Sequence, residues 1–211
     1  MRSASSSLAE GTNYFYKKMI DLYKYSNKSI ILKFIIKYVL KVEFNQSLKS
    51  FFTKENVDLG FNLQFFYDYK KKFTQTKWME KNEKRQHYQS NHDLQKYPEA
   101  QDVIKKIENI LNLKIKNKIF KNNCFGRFVI KSLWFTIQKK NEGHREHVHP
   151  KSILTGVYYF QVDGGSGGAI NINFENKTVK YQPKIHDLLI FNSNLIHSVD
   201  KYDGKNDRIA V

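Results

Sequence analysis

Residues 153–199 read ILTGVYYFQVDGGSGGAININFENKTVKYQPKIHDLLIFNSNLIHSV. Runs dense in β-branched and aromatic residues, at 153–162, 169–174, 178–182, 187–192 and 195–199, alternate with the turn sequences DGGSGG and ENK. FGRFVIKSLWFTIQ (125–138) precedes them and RIAV (208–211) follows, set off by the turn signals NEG and YDGKND. Many short strands joined by glycine-rich turns predict a sandwich or barrel, and the lack of a fixed-period repeat excludes a propeller or solenoid. DGGSGG lacks the Lys-Ser/Thr and the helix that a phosphate cradle requires, so it reads as a flexible hairpin.

Upstream the texture changes. Residues 12–53 and 63–85 read as helical, and Pro98–Leu113 predicts an amphipathic helix with Val103, Ile104, Ile107, Ile110 and Leu111 on one face. Helices followed by strands predict an α+β fold in one integrated domain. Residues 1–122 form a mainly helical, basic part that packs on the core, and residues 123–211 form the β core. In Ser29–Phe44 the lysines at 33, 37 and 41 fall on one stripe, so this stretch predicts a core-packing helix with a solvated lysine face. A bilayer span needs about 20 mostly apolar residues, and this segment is too short and too charged. The opening MRSASSSLAEG carries no secretory signal.

The 211 residues hold 36 Lys and Arg against 20 Asp and Glu, a formal net charge of +16. All of that excess lies before residue 141; residues 141–211 hold eight of each sign. With 40% hydrophobic and 15% aromatic residues, the chain is not a disordered polycation. A basic nucleic-acid-binding protein is one alternative, but the lysines are scattered among Asn, Ile, Phe and Tyr rather than clustered in a patch. Cys124 is the only cysteine, which excludes an internal disulfide and a cysteine-based zinc cluster. It reads as a small buried hydrophobe, and the expected compartment is cytoplasmic. Any metal site must therefore use histidines and carboxylates.

Five of the seven histidines fall in the neutral last third, three of them in NEGHREHVHP (141–150). Residues two apart on a strand share a face, so His147 and His149 can close on one ion, while His144 and Glu146 share the other face. His197 follows fifty residues after His147 in a strand-like segment, a separation at which a sandwich can return its opposite sheet to the same mouth. Arg208 follows eleven residues later, and its planar guanidinium suits a bidentate grip on a dicarboxylate. Three alternatives for the site remain open: an H-x-E register at His144 and Glu146, a third ligand from Glu175 or Asp187, and a degenerate site in a non-catalytic binding module. Asp187, just before the apolar LLIF run, reads as a strand cap. Trp134 reads as a core anchor, and His87, His92 and His186 as structural or surface groups.

TGVYYF (155–160), GGAININFENK (167–177), PKIHDLLIFNSNLIHSV (183–199) and RIAV (208–211) resemble, in order and spacing, the double-stranded β-helix, or jelly-roll, core of Fe(II)- and 2-oxoglutarate-dependent oxygenases, in their prolyl-hydroxylase-like branch. YQSNHDLQKYPEAQDVIKKIENIL (88–111) resembles a phage and marine-bacterial branch of the same superfamily. The resemblance covers the last 120 residues or so. It implies a dioxygenase that uses Fe(II), 2-oxoglutarate as cosubstrate and O2 to hydroxylate a protein side chain, a peptide or a small metabolite, with N-terminal helices supporting the jelly roll. It implies His147 and His197 as metal ligands, and Arg208 and Tyr159 as the groups that hold the far carboxylate of 2-oxoglutarate. His149 stands where the family carries an aspartate or glutamate. A third imidazole keeps the open metal positions and raises the site charge by one. A cupin shares the jelly roll and H-x-H, but its glutamate is missing from PKSILT (150–155).

Overall fold

The computed structural model describes residues 49–73, 87–120, 127–164, 167–175 and 177–211. The readings made for residues 1–48, for 74–86 and for Cys124 fall outside the described residues.

Among the described residues, ten strands form two antiparallel sheets: β1 Phe52–Asn56, β2 Tyr88–Gln89, β3 Thr136–Gln138, β4 His144–His147, β5 Leu154–Gln161, β6 Ile170–Phe174, β7 Lys177–Tyr181, β8 Asp187–Asn192, β9 His197–Val199 and β10 Arg208–Ala210. The larger sheet has the order β1-β8-β5-β10-β3-β2 and the smaller the order β4-β9-β6-β7. The runs DLLIFN, AININF and VYYF that marked the sequence as β are strands as expected. Phe52–Asn56, in part read as the end of a helix, is instead β1, paired with β8 from Phe52↔Phe191 to Asn56↔Asp187. Phe52 is its one apolar residue and the rest are polar, so pairing with β8 rather than a strand pattern of its own overrides the local helical reading.

Among the described residues, three α-helices flank the larger sheet: α1 Leu63–Lys72, α2 Pro98–Ile110 and α3 Lys116–Phe120, the last two joined by a π-helical turn at Leu111–Ile115. In α1 the Asn62 side chain accepts the Gln64 N–H at 2.9 Å, and lysines 70–72 sit at the negative end of the helix dipole. Pro98 opens α2, where its missing N–H costs nothing, and Ala100, Val103 and Ile107 form the buried stripe.

The strand period of two sorts the core. On β8, Leu188 and Ile190 join Val103, Ile107 and Tyr158 beneath α2, whereas Leu189 and Phe191 join Tyr159, Ile170, Ile172 and Tyr202 between the sheets. A second helix-side cluster gathers Phe66 and Tyr69 of α1 with Phe135, Ile137 and Ile209. β8 is therefore buried on both faces, which is why its sequence is an unbroken apolar run. Among the described residues no helix is long and apolar enough to cross a membrane.

Candidate metal centre and the buried arginine behind it

The smaller sheet pairs His147 of β4 directly with His197 of β9. Their ring centroids lie 4.2 Å apart. His149, two residues past β4, is tied to the neighbouring turn by its backbone N–H to the Ser193 carbonyl at 2.9 Å. Its ring lies 4.9 Å from His147 and 5.0 Å from His197. One nitrogen from each of the three lies within 4.8 Å of the other two. Spacing and strand alternation predicted this convergence for all three histidines.

The hydrogen bonds choose the tautomers. His147 Nδ1 meets the Arg145 carbonyl and His197 Nδ1 the Leu195 carbonyl, both at 2.9 Å. A carbonyl only accepts, so each Nδ1 carries the proton and each Nε2 keeps the lone pair that a metal needs. Burial lowers the His197 pKa to about 4; the Leu195 carbonyl opposes that shift, and the His147 imidazole adds to it. Burial, with His147, His197 and His92 nearby, lowers His149 to about 3. Both are neutral at pH 7 and ready to ligate.

His144 departs from the face assigned to it. Its ring stands 4.1 Å from that of His147, because the β4–β9 register shifts between these two residues and breaks the strand alternation. The candidate carboxylates are engaged elsewhere: Glu146 accepts the Asn173 side-chain amide at 3.1 Å, and Glu175 is ion-paired with Lys49. Asp187 is the cap that the sequence suggested. Burial pushes its carboxyl up, but the Tyr181 hydroxyl, the Lys184 N–H, the Asn56 amide and the Lys54 ammonium together hold it below the usual range. Among the described residues the cluster able to hold an ion is made of imidazoles alone.

Arg208 and Tyr159 lie on β10 and β5 of the larger sheet, so the candidate site spans the space between the two sheets. Both side chains are sealed from solvent, at 1% and 0% exposure. The guanidinium carbon sits 5.0 Å from the Tyr159 ring centroid, a cation–π arrangement. Its Nη1 donates to Gln138 Oε1 across the β3–β10 pair, while among the described residues Nε, Nη2 and the Tyr159 hydroxyl have no hydrogen-bond partner. Burial raises the Tyr159 pKa to about 12 against the opposing pull of Arg208, and the phenol stays protonated. A buried cation with two orphaned donors is costly and requires an explanation. A carboxylate is the partner that a planar guanidinium accommodates best. At Gly168, with φ +65°, a Cβ would stand 3.2 Å from Arg208 Cδ and 3.3 Å from Nε, so the bare glycine keeps this pocket open.

Gln138 escaped the sequence reading, and the neighbours of the triad are placed by the tertiary structure. Gln138 becomes visible only when β3 pairs with a strand seventy residues away. Trp134 is half-buried rather than a core anchor; the fully buried neighbour is Phe135. The indole stacks on His92 at 4.4 Å and lies 5.3 Å from His149, at the mouth of the triad. His87 and His144, 4.9 Å apart, extend the imidazole array on the other side.

Residues 132–211 match the model of the family described as "Putative 2OG-Fe(II) oxygenase". No curated protein matches the chain in sequence. Among solved structures, a 2OG-Fe(II) oxygenase family oxidoreductase from Burkholderia pseudomallei aligns at 14% identity and a TM-score of 0.40, over 50% of this chain and 52% of that one. The match thus spans about half the length of that relative. A Pseudomonas putida prolyl-4-hydroxylase aligns at 9% identity and a TM-score of 0.55, over 82% of this chain and 96% of that one. The prolyl hydroxylase from Trichoplax adhaerens, solved with a hypoxia inducible factor oxygen degradation domain peptide fragment, aligns at 18% identity and a TM-score of 0.54, over 87% and 91%. By sequence over its last 80 residues and by fold over most of its length, the chain resembles the Fe(II)- and 2-oxoglutarate-dependent oxygenases of the prolyl-hydroxylase-like branch. Fe(II) and 2-oxoglutarate are the cofactors in the family's name, with O2 as oxidant. Two imidazoles and a buried cation suit such a set, whereas the third imidazole, His149, departs from the carboxylate that the resemblance implies.

Proposed function

We propose that this chain is an Fe(II)- and 2-oxoglutarate-dependent dioxygenase that hydroxylates its primary substrate, and that its two sheets are the two faces of a double-stranded β-helix. One observation carries the reading: a three-histidine cluster at the smaller sheet and a sealed, under-bonded arginine on the larger sheet border the same fold core. The order β8-β5-β10-β3 against β7-β6-β9-β4 supports the β-helix reading. The lone Cys124 gives no sign of an oxidising compartment, and the cytoplasm is the location proposed with this reading.

Bound iron with 2-oxoglutarate and O2 supplies the oxidising power for C–H hydroxylation, with succinate and carbon dioxide as co-products. The chain supplies placement. His147, His149 and His197 hold the metal through their ring nitrogens, and the Arg145 and Leu195 carbonyls fix two of the rings. Arg208 and the Tyr159 hydroxyl take the distal carboxylate of the cosubstrate, with Gln138 keeping the guanidinium in plane. Leu189, Phe191 and Ile172 wall the space between the sheets and keep water out. A triad of three neutral ligands leaves the metal one unit more positive than a set with one carboxylate would. That strengthens the attraction for a dianionic cosubstrate and weakens the grip on the ion.

Isothermal titration of 2-oxoglutarate into the Mn(II)-loaded protein, with succinate release measured under Fe(II), ascorbate and air, tests the reading. Saturable binding and succinate production above the metal-free background are expected. No binding to the metal-loaded protein overturns the assignment and leaves a binding module in its place.

A further inference from the structure

The three histidines of the triad are not held alike. His147 and His197 stand on paired strands, and a backbone carbonyl two residues back fixes each ring through its Nδ1, at 2.9 Å in both cases. His149 lies past the end of β4, and among the described residues its ring takes part in no hydrogen bond. Its backbone is rigid all the same. Pro150 confines the residue before it to extended conformations, and Lys151 turns the chain with φ +83°. Ser193, fully buried, binds both ends of that turn. Its carbonyl takes the His149 N–H at 2.9 Å, its hydroxyl donates to the Ser152 carbonyl, and its N–H donates to the Ile153 carbonyl at 3.3 Å.

A fixed backbone does not fix the ring. The outer torsion of a histidine is broad and roughly two-fold, so a ring nitrogen aims at a shared ion only if a neighbour holds the imidazole plane. The rings of His147 and His197 belong to the ligands themselves, which leaves Trp134, 5.3 Å from His149 and inclined to it by 50°. The indole is clamped in its turn. It stacks on His92 at 4.4 Å with 9° between the planes, and the Gln89 side-chain amide donates to His92 Nε2 at 2.6 Å. On either side of Trp134 the chain is tied to residues 90–94: the Leu133 carbonyl accepts the Leu94 N–H at 3.1 Å, the Phe135 carbonyl accepts the Ser90 N–H at 2.9 Å, and the Phe135 N–H donates to the Ser90 hydroxyl at 3.0 Å. Trp134 is thus a fixed plate rather than a loose side chain at the mouth.

We propose that Trp134 is the positioning residue of the third ligand: the stack of Gln89, His92 and Trp134 sets the plane of the His149 imidazole, the task that the Arg145 and Leu195 carbonyls perform for the other two rings. The need for such a plate follows from the residue type. A carboxylate offers lone pairs on two oxygens and keeps one aimed at an ion over a wide range of rotation, whereas an imidazole presents a single in-plane lone pair and loses the ion when it turns. An imidazole in the third position therefore demands an orienting contact that a carboxylate does not. The inference rests on the ligand set proposed above and explains how three imidazoles serve it.

The test adds stoichiometric Cu(II) to the metal-free full chain and reads the nitrogen superhyperfine structure of its electron paramagnetic resonance spectrum, with affinity from a competing chelator. His149→Ala supplies the reference spectrum for a site lacking the third imidazole. Trp134→Ala is expected to shift the parent spectrum to that reference and to weaken Cu(II) binding about ten- to a hundredfold, while Trp134→Phe, which keeps a flat ring face, retains the parent spectrum. Trp134→Leu fills the space without such a face and is expected to follow the alanine variant, so it decides the matter if the alanine variant does not fold. A parent spectrum in Trp134→Leu, or a loss in Trp134→Phe as large as in Trp134→Leu, overturns the inference and leaves the ligand set standing. A parent spectrum identical to that of His149→Ala removes His149 from the ligand set and the inference with it, a failure visible without any Trp134 variant. The expected spectra together with no 2-oxoglutarate binding sink the oxygenase and keep the positioning role.

Discussion

Removing the buried guanidinium should make the empty protein more stable and the cosubstrate-bound state unattainable. In the double variant Arg208→Met, Gln138→Leu both members of the one good hydrogen bond disappear together, so neither leaves an orphan behind. What remains to be lost is the cation–π contact with Tyr159, worth about 1–2 kcal/mol. What is gained is relief from two unpartnered N–H groups, at about 1–3 kcal/mol each. The net is a stabilisation of about 0–5 kcal/mol, centred near the middle of the range seen when buried charges are exchanged for packed apolar groups. A ligand at a hundred times its Kd stabilises the parent by about 2.7 kcal/mol and a protein that does not bind it by nothing. Urea unfolding of the Mn(II)-loaded proteins should therefore rank the variant above the parent without 2-oxoglutarate, with the gap closing or reversing when it is added. An equal gain from 2-oxoglutarate in both proteins would refute the arginine's role. A variant several kcal/mol weaker than the parent before any addition would show that Arg208 has a structural partner, and would refute the cost assigned to it.

Replacing His147 and His197 together by alanine should abolish iron uptake measured by elemental analysis on the folded protein; retained stoichiometric iron would remove both from the ligand set. His149→Asp restores a carboxylate at the family's position while leaving the backbone anchor to Ser193 in place, so Fe(II) affinity in a competitive chelator titration should hold or rise about tenfold. Complete loss of metal with intact circular dichroism would place the third ligand elsewhere. Folding lowers the pKa values of His149 and His197 to about 3 and about 4, from an ordinary value near 6.5. The unfolded chain therefore binds protons first as the pH drops. The metal-free protein should keep its full stability above about pH 6.5 and lose it progressively toward pH 4. The slope of the urea midpoint against pH should flatten in His197→Gln, and an unchanged slope would contradict the buried neutral imidazole.

Local patterning was enough to identify the elements whose identity is local. The two-residue period of the strands, the apolar run of β8 and the stripe Val103, Ile107 on α2 follow from side-chain direction along the backbone, which any regular element imposes. The histidine pair His147 and His149 was legible for the same reason, and His197 and Arg208 because a two-sheet fold returns distant strands to one mouth. Pairing was not legible. Whether Phe52–Asn56 joins a helix or a sheet edge depends on β8 being available beside it, and Gln138 acquires its role only from standing opposite Arg208. The irregular register between His144 and His147 turned His144 toward the triad against the strand rule. Register and burial are sums over residues far apart in the chain. Only the assembled sheets therefore show that Arg208 is sealed with no counter-ion among the described residues, and that Glu146 and Glu175 are bound elsewhere.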